Sequence, residues 1–185
     1  MKVLKGLFLL LLGLVALFFA VALLLPRTAH LERSISADAS PATVYGLVNG
    51  FQRFNEWSPW AKLDPNTRYT YSGPQTGVGA RMEWASANAD VGNGSQEIIA
   101  AELDRSVTNR LDFGMGKPST AVIRLDPDGA GTRITWSLDS DFSDSLLGRY
   151  FGLMLERMVG PDYERGLAQL KALAESNTPR AEAQP

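Results

Sequence analysis

The segment Gly131-Thr132-Arg133-Ile134-Thr135-Trp136-Ser137-Leu138 alternates apolar and polar residues. Ile134, Trp136 and Leu138 share one parity and Arg133, Thr135 and Ser137 the other, as in a strand with one buried face. Working back from it, period-two segments recur at residues 120–125, 107–113, 95–103, 80–84 and 68–71. Turn chemistry separates them: Gly73-Pro74, Asn93-Gly94, Asp104-Arg105-Ser106, Lys117-Pro118 and Pro127-Asp128-Gly129. Connections this short imply antiparallel neighbours in a meander.

Outside the meander the period changes. Residues 31–37 make one more strand, with Leu31, Ile35 and Ala37 on one parity. Ser40-Pro41 then supplies an N-cap and a proline at the first helical position. Val44, Leu47 and Val48 form the apolar stripe of the short helix that follows, and Asn49-Gly50 ends it. Residues 51–57 predict a second helical turn or two, stopped before Pro59. From Asp144 onward Leu146/Leu147, Tyr150/Phe151, Met154/Leu155 and Met158/Val159 recur every four residues as a wide apolar face. Pro161 has no N–H for the carbonyl of residue 157 and collides with it, so the helix is expected to kink or restart at Gly160-Pro161. Tyr163, Leu167, Leu170 and Leu173/Ala174 continue the stripe. The order of strand, helix pair, six strands and long broken helix is that of an α+β domain.

The run from Gly6 to Leu25 is of another kind: 20 residues of Leu, Phe, Val and Ala with two glycines. At about 1.5 Å per residue it matches the roughly 30 Å of a bilayer hydrocarbon core. A cleaved signal peptide has a shorter apolar stretch, about 7–15 residues. Here Ala20-Val21-Ala22 is followed by three more leucines rather than a polar flank, and Ala29 would have Arg27 at its −3 position. The run reads as an uncleaved anchor. Lys2, Lys5 and the terminal amine before it, against Arg27 and Arg33 after it, bias the N-terminus toward the cytoplasm and the domain outside it, which in a Gram-negative cell would be the periplasm. The expected organisation is an anchor at 1–25, one domain at 26–177 and a disordered polar tail at 178–185.

Composition excludes more chemistry than it suggests. Among 185 residues there is no Cys and one His, His30, which removes disulfides, thiolate zinc sites, iron–sulfur clusters, Cys nucleophiles and His-cluster metal sites. A net charge of −2 without a basic block argues against nucleic-acid binding. No cofactor or metal is expected. Gly73, Gly77 and Gly79 match neither a Walker loop nor a dinucleotide fingerprint. Asp126-Pro127-Asp128-Gly129 lacks the later Glu ligand of a calcium loop.

Several segments in this order carry a family likeness: Leu31-Glu32-Arg33-Ser34-Ile35, Trp57-Ser58-Pro59-Trp60, Tyr71-Ser72-Gly73-Pro74, Gly77-Val78-Gly79-Ala80, Gly131 to Trp136 and Met158-Val159-Gly160-Pro161-Asp162. With the element order they resemble the START/SRPBCC superfamily, and within it the membrane-anchored bacterial branch of the polyketide cyclase/dehydrase type. The resemblance implies a helix-grip fold: a curved seven-stranded antiparallel sheet wrapped around a long C-terminal helix, with two short helices after the first strand. It also implies an apolar cavity between sheet and helix that takes lipids, sterols, polyketides or other hydrophobic molecules. No shared catalytic residue set carries over.

Cavity candidates are Trp57, Trp60, Met82, Trp84, Phe113, Trp136, Phe151, Met154 and Met158. Tryptophans would line a wall or mouth with large apolar area and one N–H each, and methionines adapt to irregular ligands. Ordinary core packing predicts the same residue types, and Met115 belongs with the methionines on the same grounds. Glu83 and Asp112 fall on the polar parity of their strands; Glu97 shares parity with Ile99 and Ala101 and is the single candidate acid–base group. The leading expectation is a membrane-tethered module binding a hydrophobic small molecule or lipid. The alternatives are an enzyme of the cyclase or dehydratase type and an envelope protein-interaction domain.

Overall fold

The computed structural model describes residues 2–114 and 116–178. Met115 and residues 179–185, hence nearly all of the expected tail, lie outside the described residues. Eleven elements follow one another: α1 (Lys2–Leu24), β1 (Thr28–Ala37), α2 (Pro41–Val48), α3 (Phe54–Trp57), β2 (Arg68–Ser72), β3 (Arg81–Ala85), β4 (Asn93–Glu102), β5 (Ser106–Asp112), β6 (Ser119–Asp128), β7 (Gly131–Asp141) and α4 (Leu146–Asn177).

The seven strands form one antiparallel sheet in the order β1-β7-β6-β5-β4-β3-β2, so the six-strand meander is intact and β1 closes onto its last member. Two parities divide the sheet as the sequence demands. Ile134, Trp136 and Leu138 of β7 stand beside Leu125, Ile123 and Ala121 of β6 and are buried. Arg124, Asp126, Glu83 and Arg81 occupy the opposite, polar face.

Helix boundaries follow local chemistry. Ser40 caps α2 by accepting from the Thr43 N–H, with Pro41 at the first turn. Ser145 caps α4 in the same way, accepting from the Gly148 N–H at 2.9 Å. α4 does not restart at Gly160-Pro161 but runs on as one 32-residue helix. Arg33 of β1 explains how. Its guanidinium pairs with Glu156, a turn before the proline, and with Glu164, a turn after it. A Cβ on Gly160 would lie 2.7 Å from the Arg33 Nη2, so the glycine makes the space in which the guanidinium rests. One ladder bond is lost at Pro161, and a cation from the sheet ties the two flanking turns together.

α1 is the one helix among the described residues long and apolar enough to cross a membrane. Its leucines and phenylalanines are largely exposed, while Ala22, near its end, is fully buried against the domain.

Candidate ligand-binding face

The inner face of the sheet is an apolar field with a polar inlay. Leu31, Leu138, Ala121, Asn109 and Ile98 stand side by side across five strands, and all are buried. In the next row Met82, Gln96, Leu111 and Ser119 are aligned in the same manner. Ser119 bonds to Ser140 at 2.8 Å. Asn109 is 7% exposed, and its Oδ1 is buried without a hydrogen-bond partner. An unpaired buried acceptor costs about 1–3 kcal/mol. Asn109 was passed over in the sequence, although it is a polar residue between Val107 and Leu111 on the buried parity of β5.

Aromatic rings close one part of this face. Trp136 stacks on Tyr163 of α4 with centroids 3.8 Å apart and planes 18° from parallel. Trp57 and Trp60 meet Trp136 edge-on at 5.5 and 6.0 Å, and Trp60 also meets Tyr163. Trp57 is fully buried and donates its indole N–H toward the Leu47 carbonyl at 3.4 Å. Desolvation holds the Tyr163 hydroxyl far above the ordinary tyrosine range.

The nine expected cavity residues therefore fall into separate places. Trp57, Met82 and Trp136 are core, with Trp60 partly buried against them. Trp84 and Phe113 pair edge-to-face at 5.9 Å near the far end of the sheet, where the Trp84 N–H donates to Val91 O at 3.3 Å. Phe151, Met154 and Met158 lie on α4 and are half exposed. The expected apolar cavity between sheet and helix is occupied, at the level of Trp136, by the stacked rings. Two recesses open elsewhere. One, of about 140 Å³, lies between Phe51, Tyr71, Pro74 and Arg81, and the other, of about 420 Å³, lies over Arg68, Thr70, Glu83 and Asn93.

Glu97 is placed away from the inner face. It accepts from Arg110 at 2.7 Å and sits 3.6 Å from Arg81 on the polar side of the sheet. The parity reading across 97–101 fails because the register shifts between Ile98 and Ala100, a bulge that resets the alternation. Glu83 is on the outer face, paired with Arg81, and Asp112 accepts from the Gly114 N–H in a turn. Among the described residues no group of three or more metal-binding side chains occurs.

Comparison with known proteins places these features. The family model described as polyketide cyclase / dehydrase and lipid transport matches residues 28–175. No curated relative matches the chain by sequence. A protein from Thermobifida fusca solved by NMR is similar in fold, at TM-score 0.61 and 19% identity over 80% of this chain and 95% of that one. The di-domain ARO/CYC protein StfQ of the steffimycin biosynthetic pathway matches at TM-score 0.58 and 12% identity, over 80% of this chain and 51% of its own. The Aha1 dimer from Colwellia psychrerythraea matches at 0.55 and 14%, over 80% and 96%. Identities at this level bear on the fold alone.

Proposed function

The chain belongs to the polyketide cyclase / dehydrase and lipid transport family, and from that membership we propose a ligand-binding module, tethered by α1, that holds a hydrophobic small molecule or lipid on the inner face of its sheet. The observation that carries this reading is Asn109, a buried carboxamide oxygen without a donor, set among Ile98, Ala121 and Leu111. An apolar body would pack on those side chains and a hydroxyl or amine of the ligand would donate to Oδ1. Gln96, buried one row away, adds a second uncharged polar group. Two neutral amides suit holding a ligand by its polar end. The carboxylate expected to serve acid–base chemistry, Glu97, is engaged by two arginines on the other face.

α1 would keep the module beside the inner membrane on its extracytoplasmic side. Native mass spectrometry of the full chain, extracted from membranes with its lipids, tests the proposal. A discrete adduct that is lost in Asn109→Leu supports it. An adduct-free protein, with no change in tryptophan emission on titration with the extracted lipids, overturns it.

A further inference from the structure

α1 ends in an unusual way for a tether. The last carbonyls of a helix lack intrahelical donors and carry the negative end of its dipole. Here Arg149 of α4, only 5% exposed, fills that role, donating from Nη1 to Ala22 O at 3.0 Å and Leu23 O at 3.4 Å, and from Nη2 to Ser143 O. Its neighbour Tyr150 donates to Phe18 O at 2.7 Å and lays its ring on Phe18, with centroids 4.4 Å apart and planes 8° from parallel. Only Leu25, Pro26 and Arg27 separate α1 from β1, and the Phe142 N–H bonds back to Arg27 O. The helix is thus clasped by the domain.

The clasp fixes a depth. Phe18 lies six residues before Leu24, or about 9 Å down the helix axis. The first turns of α4 therefore stand alongside the last turns of α1 rather than beyond them. On those turns Leu147, Phe151, Met154 and Met158, spaced by four, three and four residues, form one apolar stripe that is 63, 44, 53 and 50% exposed. Leu147 and Phe151 flank Arg149 and Tyr150 in sequence, so the stripe continues directly from the contact that holds α1.

We infer that the first three turns of α4 are a bilayer-contacting surface: Arg149 and Tyr150 lock the domain onto α1 so that Leu147, Phe151 and Met154 enter the interfacial layer of the lipid. The inference rests on the reading of α1 as a membrane tether. Its occupant is the lipid surface itself, because the stripe adjoins the contact that holds a helix read as lying in lipid, and a tyrosine at that contact suits the headgroup boundary.

The chain has no cysteine, so single labels are simple to place. Leu12→Cys, Leu147→Cys, Met154→Cys and Ser176→Cys would each carry a polarity-sensitive fluorophore, with the full chain reconstituted in phosphatidylcholine/phosphatidylglycerol vesicles holding shallow or deep nitroxide lipids. The expected result is quenching of residue 12 by the deep nitroxide, of residues 147 and 154 by the shallow one, and of residue 176 by neither. In an Arg149→Gln/Tyr150→Phe background residues 147 and 154 should lose their quenching while residue 12 keeps it. Tyr150→Phe alone, which preserves the stacked ring, should give a partial loss. Residue 12 quenched with 147 and 154 unquenched overturns the inference and leaves the tether standing. Residue 12 unquenched overturns both.

Discussion

Trp136 and Tyr163 lie face to face, 3.8 Å apart between centroids, so the last strand of the sheet and the second half of α4 share one aromatic layer. Both are buried. The phenol is the one titratable group in that layer, and it has a consequence at high pH.

Burial raises the Tyr163 pKa above its unfolded value, which is about 10. The unfolded chain then releases the phenol proton at a pH where the folded chain retains it. Stability from this group is complete below about pH 10 and falls as the pH rises from there toward the folded pKa. Urea midpoints measured between pH 8 and 11 should fall for the wild type and fall less steeply for Tyr163→Phe. Tyr45, also raised by burial, preserves part of the slope in the variant. Parallel slopes for the two proteins would show that Tyr163 ionises freely in the fold.

Asn109 predicts a conflict between stability and binding. Asn109→Leu keeps the branching of the side chain and removes the unpaired buried acceptor; the two methyls are bulkier than the carboxamide, so the empty protein should gain less than the about 1–3 kcal/mol of that acceptor in chemical denaturation. The same substitution should weaken retention of the co-extracted ligand. A variant that is less stable than the wild type in ligand-free form would mean that the carboxamide is already satisfied within the fold.

Most of the fold was legible because period and punctuation agreed. All seven strands and the helix pair sit where alternation and turn residues put them, since each strand has one wet and one buried face. The site was less so. Trp57 and Trp136 carry the same sequence signature whether they line a cavity or fill one, and their edge-on contact is not written in either position. Glu97 was misread because a bulge has no period-two signature. Arg149 gave no signal at all: its partners are backbone carbonyls, two of them more than 120 residues away, and a carbonyl has no side-chain identity to read.

Gly94 supports the far end of the sheet. A Cβ there would stand 2.5 Å from the Trp84 ring and 2.8 Å from Asp112 O. Backbone cannot yield, so Gly94→Ala should expel the indole, break its edge-on contact with Phe113 and cost about 1–3 kcal/mol, as overpacking does. A red-shifted tryptophan emission and a lowered urea midpoint are the readouts. Unchanged emission would place Trp84 elsewhere.

The Arg33–Gly160 contact allows a test that one substitution cannot give. Alanine is a better helix former than glycine by about 1 kcal/mol, so Gly160→Ala at an open helical position should stabilise. At this position its Cβ would lie 2.7 Å from the Arg33 Nη2. The guanidinium must then shift, which weakens its pairing to Glu156 and Glu164. Both carboxylates are largely exposed, so each pair is worth no more than about 1 kcal/mol. The gain and the loss should nearly cancel, leaving Gly160→Ala close to neutral in the wild type. Arg33→Met keeps most of the apolar stem and removes the charged head. In that background Gly160→Ala should stabilise by about 0.5–1 kcal/mol, giving a coupling energy of similar size from the four urea midpoints. Additive effects would mean that the guanidinium does not rest on Gly160, and the continuity of α4 through Pro161 would then need another cause.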